Sequence, residues 1–252
     1  MLKRLRRRLT GRHKRELTGA DLGRRYPDMD PEFAPFYEAC RRATMTSTER
    51  LYALYKAVEY IVGAGVDGDC VECGVWRGGS LMMMALALQQ FGDVGRRIYA
   101  FDTFEGMPPP GPRDIRRDSG ETASSLLATS PRSEDSMIWA LASIETVRAN
   151  MGTTGYPMQL VSFHRGLVEE TLPAQAPARI ALLRLDTDWY DSTKHELVHL
   201  YPRLAPGGVL IIDDYGYFIG AQKATDEYFA ESGAHMLLNR VDNSGRIGVK
   251  PG

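Results

Sequence analysis

Asp69-Cys70-Val71-Glu72-Cys73-Gly74-Val75-Trp76-Arg77-Gly78-Gly79-Ser80 is a short apolar run with an acid near its end, followed by a glycine-rich turn. An apolar stretch from Leu81 to Phe91 comes next, and a second run, Ile98-Tyr99-Ala100-Phe101-Asp102, closes on another acid. Short apolar runs bounded by turn residues read as buried strands, and the stretch between them reads as a helix. Together they make one βαβ unit, and a parallel sheet follows from it.

Working outward, strands are expected near 158–163, 180–186 and 208–213, with helices over 136–150, 191–204 and 220–231. The runs 235–241 and 246–249, joined by Asp242-Asn243-Ser244-Gly245, read as a closing hairpin. Upstream, Glu49 to Val62 carries apolar residues at helical spacing, inside a helical cap over 32–65. The expected fold is α/β, a doubly wound and mostly parallel sheet with an antiparallel hairpin, forming one domain over 32–252. Residues 108–135 begin Pro-Pro-Pro-Gly-Pro and continue polar. That is long for a connection, and its place after a strand's C-terminal end predicts a lid over the active site.

Six carboxylates stand where apolar runs end: Glu72, Asp102, Asp186, Asp188, Asp213 and Asp214. Ligands of open α/β sheets gather at those ends, so the acids should converge on one cleft. The turn after Glu72 is neither Gly-x-Gly-x-x-Gly nor a phosphate loop, which argues against a dinucleotide or a nucleoside triphosphate. An acid closing the next strand suits ribose hydroxyls, and the combination suits S-adenosylmethionine. Glu72 is then placed near its cationic portion, Gly74 beneath it, Ser80 near its carboxylate and Asp102 on its ribose. Asp186, Asp213 and Asp214 are hard oxygen donors of the kind that holds Mg²⁺, with positions left for neighbouring substrate oxygens. Asp188 remains free to accept a proton from a substrate hydroxyl.

Four runs in order, Val71 to Ser80, Phe101 to Pro108, Leu185 to Thr193 and Gly207 to Tyr215, resemble the macrocin O-methyltransferase family from about residue 45 to the C-terminus. The resemblance implies a Rossmann-like class I methyltransferase fold, dependence on S-adenosylmethionine and Mg²⁺, and methylation of sugar hydroxyls. By position it makes Asp186, Asp213 and Asp214 metal ligands and Asp188 the base, and it implies a homo-oligomer assembled through the N-terminal helices. Related catechol-type enzymes use a lysine three residues after the first metal aspartate. Trp189 stands there, and Lys194 is further along, so a saccharide is favoured over a phenol. A non-catalytic adenosyl-binding protein and a metal-dependent hydrolase are the readings of other classes.

The rest of the chain is plainer. A formal charge of -1 over 252 residues suggests no nucleic-acid partner. The basic residues of 1–31, Lys3 to Arg8 above all, read as a solvated, flexible tail able to touch an anionic membrane surface weakly. Neither a secretory signal nor a transmembrane helix is expected. Three cysteines fit a reducing cytoplasm, and Cys70 and Cys73, on opposite faces of one strand, are core residues rather than a redox pair. His195, His199 and Met82 to Met84 read as helix packing. His164, Met45, Thr46 and Tyr217 are left open between ligand contact and packing, as are Ser47, a candidate helix cap, and Tyr215.

Overall fold

The computed structural model describes residues 17–252. Its sheet has the order β3-β2-β1-β4-β5-β7-β6. The strands are β1 (Asp69–Cys73), β2 (Ile98–Asp102), β3 (Val161–Arg165), β4 (Ile180–Leu185), β5 (Leu204–Ile212), β6 (Asn239–Arg240) and β7 (Arg246–Val249). The first five are parallel, and β7 runs antiparallel to β5. Every side chain of β4 is buried, as a central strand covered on both faces requires.

Strand alternation divides the core in two. Cys70, Ile98, Ala100, Leu182 and Ile211 pack with the helices α3 (Thr48–Gly63) and α4 (Gly79–Gln90), including Met82, Met83 and Met84. Val71, Cys73, Leu183, Leu185 and Leu210 pack on the other side with Leu197 and Leu200 of α8 (Tyr190–Leu200) and Tyr228 of α9 (Ile219–Ser232). Cys70 and Cys73 thus lie on opposite faces, free and buried. Within α3, Leu51, Leu54, Tyr55, Val58 and Ile61 make the buried stripe, and Ser47 caps the helix by accepting the Arg50 N–H at 3.1 Å.

The structure differs from the sequence expectation in three places. Residues 1–16 of the expected tail lie outside the described residues, but from Leu17 the chain is built onto the domain. There α1 (Gly19–Arg25) begins with a capping box between Thr18 and Asp21, and it buries Leu22. The insertion also ends later than expected. It contains α5 (Ala123–Thr129), residues 136–143 are irregular, and α6 (Ile144–Gly152) starts only where Ser143 accepts the Thr146 N–H. Finally, β6 is two residues long and Leu237 before it is exposed, so the hairpin is shorter than its apolar run suggests.

The insertion is fastened at several points. Trp189 Nε1–H donates to the Pro108 carbonyl at 3.0 Å. Buried Asp114 accepts the Gly111 and Tyr190 N–H groups at 2.7 and 2.8 Å. Ala123 and Leu127 pack with Trp189 and Phe218 in a small apolar group of their own.

Candidate functional site

At the C-terminal ends of the parallel strands a cavity of about 550 Å³ opens, lined by all eight residues singled out from the sequence. Glu72, Gly74, Ser80 and Asp102 come from the β1–β2 side, and Asp186, Asp188, Asp213 and Asp214 from β4 and β5. Leu126, Ser130, Met137 and Ile138 of the insertion line it as well, the position a lid would need.

The glycine turn is held by Asp102. Its Oδ2 accepts the Val75 and Trp76 N–H groups at 2.7 and 3.2 Å, and its Oδ1 accepts the Phe104 N–H at 2.7 Å. Trp76 and Phe104 both have positive φ, and these bonds fix them there. Much of the acceptor capacity assigned to a ribose is thus used within the protein. Gly74, at φ +78, lies where a Cβ would stand 2.1 Å from the Asp186 carbonyl oxygen. Only glycine lets the two turns approach so closely. Ser80, in the first turn of α4, is 4 % exposed.

The other half is crowded with charge. One oxygen each of Asp186, Asp213 and Asp214 lies within 4.8 Å of the others. Two arginines, Arg184 buried and Arg50 partly so, share the load, and sequence reading missed both. Arg184 contacts Asp186 at 2.7 Å, Asp213 at 2.6 Å, and Glu72. Arg50, from the start of α3, contacts Asp213 and reaches Asp242 at 3.0 Å. Thr46 Oγ1 donates to Asp213 at 3.2 Å. Arg184 had a signal, a lone charge inside the apolar run Ile180–Leu185. Arg50 had none, because charge in a helix's first turns is ordinary.

Even so, the acids remain under-compensated. Asp214 touches the carboxyl groups of Asp186 and Asp188, and its buried Oδ2 finds no donor. Burial first, then neighbouring carboxylates, pushes Asp214 well above the usual carboxylate range. Burial and Asp186 do the same to Asp188. Burial, against the pull of Arg184, raises Glu72 to about 8. A cluster of hard oxygens with an orphaned atom fits a divalent cation such as Mg²⁺.

Asp186 and Asp188, two apart, do not share a strand face, because β4 ends at Leu185. Asp188 sits instead in a tight turn at φ +66, in which the Thr187 carbonyl accepts the Trp189 N–H at 2.7 Å. Among the described residues no histidine lines the cavity. His164 stacks on Phe101 and bonds Gln175, and His195 meets His199 and the Leu172 carbonyl. Met45, Thr46 and Tyr217 line the cavity, whereas Tyr215 turns to Asp226 and Arg246.

A doubly wound sheet with a glycine turn, an acid closing the second strand and an acid cluster opposite defines a class I methyltransferase. The sequence profile of the macrocin O-methyltransferase (TylF) family matches residues 25–247, and the chain belongs to that family of S-adenosylmethionine-dependent O-methyltransferases. It is 36% identical over 219 residues to the 8-demethyl-8-(2,3-dimethoxy-alpha-L-rhamnosyl)-tetracenomycin-C 4'-O-methyltransferase of Streptomyces olivaceus, covering 87% of this chain and 80% of that one. With the demethyldecarbamoylnovobiocin O-methyltransferase of Streptomyces niveus it shares 33% identity over 202 residues, 80% of this chain and 73% of the other. The structure of the O-methyltransferase NovP superposes with a TM-score of 0.71 at 32% identity, covering 83% of each chain. Among the described residues no helix is long and apolar enough to cross a membrane.

Proposed function

We propose that this enzyme methylates a hydroxyl of a sugar, carried by a natural product or lipid or part of a free saccharide, with Mg²⁺ assistance and Asp188 as general base. The observation that carries the reading is the meeting of Asp186, Asp213 and Asp214 with Asp188 in the cavity that the glycine turn enters. Mg²⁺ held by Asp186, Asp213 and Asp214 would supply Lewis acidity toward the acceptor hydroxyl and neutralise part of the acid cluster.

The protein's own groups account for the remainder. Asp188 would take the proton of the sugar hydroxyl, and S-adenosylmethionine, when bound, would supply the methyl group and leave as S-adenosylhomocysteine. Glu72, Gly74, Ser80 and Asp102 form the cofactor side, where Asp102 keeps the turn in shape and Glu72 lines the cavity with a carboxyl group. The insertion lines the cavity through Met137 and Ile138, from which a closing movement would exclude water. Relatives named for glycosylated tetracenomycin and for mycinamicin III support a glycoside acceptor. The catechol-type alternative lacks its base. Trp189 is held by Pro108, Lys194 pairs with Glu231 at 2.6 Å, and no lysine lines the cavity among the described residues. Homo-oligomerisation through the N-terminal helices and a cytoplasmic location belong to the same proposal.

The test is methyl transfer from labelled S-adenosylmethionine to glycosides, oligosaccharides and catechols, with Mg²⁺ and with EDTA. Label on a saccharide only when the metal is present is expected. Brisk transfer to catechols with none to glycosides would overturn the acceptor class, and full activity in EDTA would overturn the metal.

A further inference from the structure

Glu196 lies mid-way along α8, is wholly buried and does not line the cavity. The charges that act on it most are carboxylates, Glu169 and Asp186. Its Oε1 accepts the Thr187 hydroxyl at 2.9 Å, the Cys73 thiol is in hydrogen-bond contact with it, and its Oε2 has no partner. Burying a carboxyl among such weak partners is costly, and an aliphatic side chain would fill the space without that cost. Packing alone is therefore a poor account of it.

Thr187 lines the cavity, and Cys73, buried in the sheet core, adjoins it. Cys73 precedes Gly74, and its carbonyl accepts the Asp186 N–H at 2.9 Å. Thr187 opens the tight turn, its carbonyl accepting the Trp189 N–H at 2.7 Å and its hydroxyl donating to Glu196. The next residue, Asp188, has a φ of +66 that a side-chain-bearing residue keeps only when its surroundings impose it. Glu196 is thus a buried tie between the cofactor turn and the turn of the proposed base.

We propose that Glu196 is a positioning residue for methyl transfer, which through Thr187 holds the strained turn that presents Asp188 to the acceptor hydroxyl. The inference rests on the assignment of Asp188 as base. It goes beyond that assignment by giving a group with no access to substrate control over turnover. A misplacement of the base by about an ångström costs up to about a hundredfold. Loss of the tie should therefore act on kcat and leave cofactor affinity alone.

The experiment compares Glu196→Ala, Glu196→Gln, Thr187→Val, Thr187→Ser and the double variant Glu196→Ala/Thr187→Val, at saturating S-adenosylmethionine and Mg²⁺ on a glycoside that wild type methylates. Glu196→Ala and Thr187→Val are each expected to lower kcat by about tenfold to a hundredfold, with the calorimetric dissociation constant for S-adenosylmethionine unchanged. Glu196→Gln and Thr187→Ser, which keep the hydrogen bond, should stay within about threefold of wild type, and the double variant should be no slower than the slower single one. Should Glu196→Ala fail to fold, the Thr187 pair carries the same comparison. Unchanged kcat in Thr187→Val, or multiplied losses in the double variant, would overturn the positioning role while leaving the methyltransferase reading intact. Wild type that transfers no methyl to any glycoside would overturn both.

Discussion

The two halves of the cavity treat their acids in opposite ways. On the β1–β2 side Asp102 has three backbone N–H donors within 3.2 Å, and its turn is complete without a ligand. On the β4–β5 side Asp186, Asp188 and Asp214 face one another, and Asp214 keeps an oxygen with no donor at all. The first half is a rigid joint whose acid shapes backbone. The second leaves charge uncompensated and so has the means to bind a cation and accept a proton. Substitution should therefore damage folding in the first and turnover in the second.

The largest effect expected tests the second half. Asp188→Asn keeps the shape but removes the basic oxygen, and turnover should fall by a factor on the order of a hundred or more with S-adenosylmethionine binding retained. Near-normal turnover would remove Asp188 from the base role and leave the strained turn unexplained.

A smaller effect tests the first half. Asp102→Ala strands the N–H groups of Val75, Trp76 and Phe104, and hydrogen bonds to a charged acceptor contribute about 1.5–3 kcal/mol each. Allowing for water reaching the turn, a loss of roughly 3 kcal/mol in denaturant unfolding is expected, alongside weaker cofactor binding. Weaker cofactor binding with unchanged stability would instead make Asp102 a ribose ligand first and a joint second.

The same contrast explains what was legible in the sequence. Strand ends, the glycine turn and the acids were readable because apolar runs and their punctuation are local signals, and all eight chosen residues do meet in one cavity. The partners of those acids were not readable. Arg184 stands directly beside Glu72 in the β1–β4 register, and Arg50 arrives from a helix 163 residues before Asp213. Such pairings are set by topology, which leaves no periodic trace. The later start of α6 was hidden too, because Ser136 to Ala142 is apolar enough for a helix. Its residues Met137 and Ile138 instead line the cavity, and Ser143 supplies the cap. Glu196 had the most ordinary local context, a charged residue in an amphipathic helix, and only the fold shows it to be buried.

A further effect concerns protons, and it separates the halves without any substrate. Arg184 is one guanidinium serving Glu72, Asp186 and Asp213, so it cannot neutralise all three. Glu72, held at about 8 against an ordinary value of 4.5, is protonated in the folded metal-free protein at neutral pH and ionised when unfolded. A raised folded-state pKa contributes stability that is fully present below the unfolded value and lost as pH rises through the folded one. Asp186, Asp188 and Asp214 are raised too and push the same way. The metal-free protein should therefore lose stability between about pH 5 and pH 9. Glu72→Gln should flatten part of that slope, and Mg²⁺, by favouring the ionised acids, should flatten more of it. Unfolding curves across that range, with EDTA and with Mg²⁺, read both. Stability that rises with pH in EDTA would mean that the arginines already neutralise the cluster, and the contrast between the two halves would disappear.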